Sequence, residues 1–77
     1  MENLKISVKS EADIQVCRSL FEQLGYVFTD MSFVANPSSL QVFSDGSGSL
    51  FEDHDSCCNE EITREQLKEK VILHRNN

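Results

Sequence analysis

The chain is poor in cations, in evenly paired cysteines and in long apolar runs, and each shortage removes a class of function. Seven Lys and Arg stand against thirteen Asp and Glu, a net charge of −6 at pH 7. Affinity for a phosphate backbone comes from Lys and Arg displacing counterions, so direct nucleic-acid binding is not expected and a basic protein partner is the easier electrostatic match. No long apolar run is present and no basic–apolar–small leader is readable, so the chain is expected to be neither membrane-spanning nor secreted, with the cytoplasm as its location. Cys17, Cys57 and Cys58 are an odd number with two of them adjacent, a poor basis for a disulfide scaffold. Reduced thiols are expected, with Cys17 as a core filler. Interdomain linkers, internal repeats and low-complexity segments are also missing. Residues 1–77 therefore read as one small domain, which at this length buries roughly 60% of its unfolded surface.

What is present begins with Ser10 to Gly25. Ile14, Cys17, Leu20, Phe21 and Leu24 recur at three- and four-residue steps, which predicts an amphipathic helix over about 11–24. The Ser10 hydroxyl is placed to cap its first turn, and Asp13, three residues on, to return a bond to the Ser10 amide. Gly25 stands where helices commonly end in a left-handed residue.

Around this helix the pattern is extended. Leu4 to Val8 alternates apolar and polar, predicting a half-buried strand with Leu4, Ile6 and Val8 inward. Tyr26-Val27-Phe28, continued or resumed by Met31 to Ala35, predicts a strand returning parallel to the first. Asn36-Pro37-Ser38-Ser39 is a break. Leu40 to Phe43 is a strand, Asp45-Gly46 a hairpin signal and Leu50-Phe51 the start of the return strand. Residues 52–61 read as that strand passing into a loop. A second helix near 63–71 carries two start signals: Thr63 and Gln66 at capping-box spacing, and Ile62 and Leu67 at the spacing of a hydrophobic staple. Whether Val71-Ile72-Leu73 ends this helix or forms a short strand is open, and His74 to Asn77 are expected to fray. The expected architecture is α+β, a three- or four-stranded mainly antiparallel sheet with two helices in the order β-α-β-β-β-α.

The densest reactive stretch is Glu52-Asp53-His54-Asp55-Ser56-Cys57-Cys58. Structural zinc needs four ligands, usually two separated pairs, and only one local cluster exists, so no metal or other cofactor is expected. A Cys–His nucleophile is disfavoured because the surrounding carboxylates oppose a thiolate, and the chain is read as non-enzymatic. Ser44 to Ser49 is glycine-rich but lacks the Lys-Ser/Thr ending and following helix of a phosphate loop; it reads as a hairpin turn. The feature that points to binding is the acidic stretch itself. Glu52, Asp53, Asp55, Glu60, Glu61 and Glu65 place six carboxylates in fourteen residues. Its plain role is a solubilising face. Its sharper role is an anionic patch that docks in a nucleic-acid-binding groove of a partner protein, where phosphates would otherwise lie. Phe43, expected on the sheet face away from the helices, or Tyr26 would supply an apolar anchor. The alternative is a homodimeric structural or assembly module that uses an exposed sheet face.

A short strand, a helix ending Leu24-Gly25-Tyr26, a hairpin with Asp45-Gly46, and Glu61-Ile62-Thr63 opening a helix that bears Leu67 together resemble the small accessory proteins of tailed bacteriophages and prophages. The likeness spans roughly residues 4–73 and includes an aromatic after the Gly-Tyr pair, Phe28, where Trp is frequent in that group. It supplies no catalytic residue. It implies a context, an accessory protein made in the host bacterial cytosol. By analogy of size and charge alone, the chain is also similar to the small acidic phage proteins that inhibit host enzymes or host defence, anti-CRISPR proteins among them.

Overall fold

The computed structural model describes residues 1–28, 38–52 and 59–76. Its elements are β1 (Leu4–Ser7), α1 (Glu11–Gln23), β2 (Ser39–Val42), β3 (Gly48–Phe51), β4 (Glu60–Glu61) and α2 (Arg64–Arg75). They form an α+β fold with a four-stranded sheet in the order β3-β2-β1-β4. β2 pairs antiparallel with both β1 and β3, whereas β4 pairs parallel with β1.

α1 is closed at both ends by its own sequence. The Ser10 hydroxyl accepts from the Asp13 amide at 3.2 Å. The Asp13 carboxylate takes the amide of Lys9 at 3.2 Å, not that of Ser10, while its other oxygen is engaged by Arg64. At the far end Gly25 adopts φ +102°, its amide donates to Glu22 O, and the Tyr26 amide donates to Phe21 O at 3.2 Å. This pair of bonds satisfies carbonyls that a helix end leaves orphaned, and it turns the chain so that Tyr26 packs edge-to-face on Phe21 at 5.7 Å.

α2 starts on the reciprocal capping box expected of it. Thr63 Oγ1 accepts from the Gln66 amide at 3.1 Å, and the Thr63 amide donates to Gln66 Oε1 at 2.8 Å. Ile62 and Leu67 are both buried beside it. Residues 71–73 continue the helix, which runs to Arg75: Val71 faces the core while Ile72 and Leu73 are exposed. The helices lie side by side in the same direction. Asp13 and Arg64 meet at their N-terminal ends, and Leu24 and Leu73 line one groove at the other.

The sheet's alternation sets the core. Leu4 pairs with Val42, and Ile6 with Leu40, which also pairs with Leu50. These side chains join Ile14, Cys17, Phe21, Tyr26, Phe28, Ile62 and Leu67 in one cluster. The opposite face carries Ser39, Gln41, Phe43 and Phe51.

Two strand expectations are corrected. Within the described residues, the expected strand from Tyr26 is a single parallel bridge, Val27 to Ser47, and its continuation at residues 29–35 lies outside them. The parallel partner of β1 is instead β4, in a stretch read as loop. Two glutamates are too short a run to show alternation and have low strand propensity. Backbone pairing alone makes this strand, through Glu60 N to Asn3 O at 3.1 Å and Ile62 N to Lys5 O at 2.9 Å. Among the described residues no helix is long and apolar enough to cross a membrane.

Candidate protein-binding surface

The expected carboxylates divide between the two edges of the sheet. Glu60 and Glu61 form β4 at one edge, and Glu65 follows in the first turn of α2; all three are exposed. Glu52 directly follows β3 at the other edge and is also exposed. Three strand spacings separate the edges, about 14 Å. Asp53 and Asp55 lie outside the described residues, as do His54, Cys57 and Cys58.

Glu61 and Glu65 border a groove of about 450 Å³ whose other polar walls are Ser7, Lys9, Asp13, Thr63 and Arg64. Arg64 and Asp13 form an ion pair across this groove, joining the first turns of the two helices. The hydrogen bond from Arg64, helped by the Lys9 amide, holds the Asp13 carboxyl below its ordinary value, and the same pair raises Arg64. Beside the Arg64–Asp13 pair, the groove is bordered by the carboxylates of Glu61 and Glu65 and by the ammonium of Lys9. Arg64 interrupts the acidic run in sequence, yet in space it serves a carboxylate 51 residues earlier. No local spacing announces such a partner.

Phe43 does stand on the face away from the helices, but it is half-buried, its ring 6.1 Å from that of Phe51. Gln41 and Ser39, on the same face, are buried too. Gln41 Nε2 donates to Ser39 Oγ at 3.0 Å, and Asn59 Nδ2 donates to Gln41 Oε1 at 3.1 Å. Among the described residues this face thus carries two buried polar side chains beside two half-buried aromatics. Tyr26 is no surface anchor either. It is buried, its hydroxyl donates to Glu2 O at 2.7 Å, and burial pushes its phenol up.

Cys17 fills the core as expected, and burial raises its thiol, which keeps it in the neutral form. Among the described residues no three His, Cys, Asp or Glu side chains are grouped to hold a metal ion. A second groove, of about 340 Å³, lies at the other end of the helices between Met1, Leu24, Tyr26 and Leu73, beside an ion pair of Lys70 with Glu2 at 3.0 Å. No protein-family model, curated protein or solved structure matches the chain.

Proposed function

We propose that this chain is a non-enzymatic, phage-type binding protein that inhibits a host nucleic-acid-directed or defence complex by presenting carboxylates to a basic groove. The observation that carries the reading is the placement of Glu60, Glu61 and Glu65. All three are exposed, at one edge of the sheet, on a strand and a capped helix turn. Carboxylates fixed on such elements keep their spacing without a large ordering cost, unlike those of a loose acidic tail. Glu52, at the opposite edge, supplies a second contact point for a groove wide enough to receive the sheet. Exposed ion pairs add little affinity singly, so the surface works through its summed field, raising the encounter rate and choosing basic partners.

The test is affinity capture from bacterial lysate with the tagged chain, washed at low and at high salt and read by mass spectrometry. The expected result is capture of a nucleic-acid enzyme or defence complex, weakened by salt. Capture should be lost in a Glu60→Lys/Glu65→Lys variant that keeps the wild-type melting transition. Unchanged capture by that folded variant would overturn the reading.

A further inference from the structure

The hairpin between β2 and β3 turns on Asp45-Gly46, the only place in the chain where an aspartate or asparagine precedes glycine. Such a pair is open to one backbone reaction. The amide nitrogen that follows an aspartate attacks that residue's own carboxyl carbon and closes a five-membered succinimide ring. Glycine in the second position has no Cβ to shield the nitrogen. Asp45 is exposed, so solvent reaches it. Yet both reacting groups are occupied elsewhere. The Gly46 amide donates to Phe43 O at 2.9 Å, which keeps its proton from a base. Asp45 Oδ1 accepts from the Ser47 amide at 2.9 Å and from the Ser47 hydroxyl at 2.6 Å. These bonds favour the ionised carboxyl and hold it below its ordinary value, and a carboxylate is a far poorer acyl acceptor than the neutral acid. The tip is also tied down from outside. The Ser44 amide donates to Asn3 Oδ1 at 2.9 Å, the Val27 amide donates to Gly46 O at 2.8 Å, and Val27 O accepts from the Gly48 amide at 3.0 Å.

We propose that Asp45-Gly46 is a site of spontaneous isomerisation, closed in the folded hairpin by Ser47 and Phe43 and open once the tip detaches. The reaction needs no partner beyond water. The Gly46 nitrogen loses its proton and bonds to Asp45 Cγ, and the hydroxyl of the neutral acid departs with that proton as water. Water then adds to one of the two ring carbonyls. Cleavage of the N–Cγ bond restores aspartate. Cleavage of the bond between nitrogen and the original backbone carbonyl carbon leaves isoaspartate, whose main chain runs through Cβ and Cγ. No atom is oxidised or reduced. Isoaspartate puts one extra atom into the loop Ser44-Asp45-Gly46, which closes on the bond from the Phe43 amide to Ser47 O at 2.8 Å. That atom displaces Gly46 from Phe43 and from Val27, so a converted tip does not reclose as before. The change therefore marks, in one direction, chains whose hairpin has opened. It is independent of the acidic-surface function, because Glu60 and Glu61 lie at the opposite edge of the sheet from β3.

The test is prolonged incubation of the full chain at neutral pH, followed by peptide mapping with mass spectrometry. Mapping separates aspartate from isoaspartate at position 45 and sees the succinimide as lighter by one water. Wild type unfolded in guanidinium chloride should convert about tenfold or more faster than folded wild type, since the folded chain reacts only through opening. Folded Ser47→Ala loses the hydroxyl bond and keeps the amide bond. It should convert roughly two- to tenfold faster than folded wild type. In denaturant the two chains should convert alike, which separates lost protection from altered intrinsic reactivity. Far-ultraviolet circular dichroism checks that the variant is folded, and the two wild-type rates need no variant. The isolated isoaspartate form should melt below the unreacted chain. Equal wild-type rates with and without denaturant, a folded Ser47→Ala no faster than wild type, or an isoaspartate form that melts with the unreacted chain would each overturn the proposal.

Discussion

Arg64, the first residue of α2, holds the carboxylate of Asp13 in the first turn of α1, so one ion pair fastens the two helices where both begin. The same carboxylate accepts from the Lys9 amide through its other oxygen. A single aspartate thereby helps cap its own helix and tethers the next. Its setting also ties stability to pH.

Asp13 is held below its ordinary value when folded, so its contribution is fully present above the ordinary carboxylate range and is lost as pH falls through the folded-state value. Asp13→Asn keeps an acceptor for Lys9 but loses the charge that Arg64 uses. The melting temperature of wild type should exceed that of Asp13→Asn by a constant margin from neutrality down to about pH 5, and the margin should close in stronger acid. A margin that widened on acidification would contradict the assignment. Asp45, also lowered, by the Ser47 hydroxyl and amide, adds acid lability of the same sign.

These relationships differ in how far they could be read in advance. The capping box at Thr63 and Gln66, the hydroxyl cap at Ser10 and the turn at Gly25 involve residues within five positions of one another, and all three are met. Helices are local objects, and their ends are written locally. β4 is different: its two glutamates are a strand only because β1 offers them carbonyls and amides from 55 or so positions away. The acidic run shared this fate. It is continuous in sequence, but a sheet separates Glu52 from Glu60, Glu61 and Glu65, since chain proximity does not survive the passage from β3 to β4. Phe43 was placed on the correct face by alternation, yet alternation says nothing of Phe51, which leans against it from the next strand.

Gly25→Ala isolates the backbone term at the end of α1. A Cβ there would meet only Met1 Cε at 3.4 Å, an ordinary contact, so room is not the obstacle. The φ of +102° is, because an L side chain rarely adopts it. The variant should lose about 1 kcal/mol. For a domain this size that is a fall in melting temperature of about 4–8 °C. Thermal unfolding by circular dichroism measures it, and an unchanged melting temperature would mean that the left-handed turn is not needed.

Gly48 poses the opposite case. No unusual backbone angle constrains it, but a Cβ would fall within the ring of Phe28, against Cε1, Cδ1 and Cζ. Phe28 is buried and packs 6.3 Å from Phe21, so it has little room to retreat. Gly48→Ala should cost about 1–3 kcal/mol by overpacking. Added to Phe28→Leu, the same alanine should cost much less, because the ring it strikes is gone. Chemical denaturation of the two singles and the double gives the coupling. Simple additivity would show that the two residues do not oppose each other.

Asn59 fixes the entry to β4, and with it the carboxylates proposed for binding. It is 93% buried by its 7% exposure, and its Nδ2 donates to Gln41 Oε1 at 3.1 Å, Leu4 O at 3.3 Å and Val42 O at 3.4 Å. Every one of these partners is an acceptor, so the site requires a donor. Asn59→Ala removes it and should cost about 1–3 kcal/mol. Asn59→Asp is the sharper variant, since it places an acceptor, charged at neutral pH, against oxygens that repel it. It should be less stable than Asn59→Ala at pH 7. It should then gain on it as the pH falls, because a carboxyl whose folded-state value is raised above the unfolded one stabilises only once protonated. Hydrogen exchange would localise the effect. The amides of Glu60 and Ile62, bonded to Asn3 and Lys5 of the N-terminal strand region, should lose protection in both variants before those of α1 do. If Asn59→Asp matched wild type at neutral pH, the donor role of Asn59 would be wrong, and some other contact would have to hold β4 and its two glutamates in place.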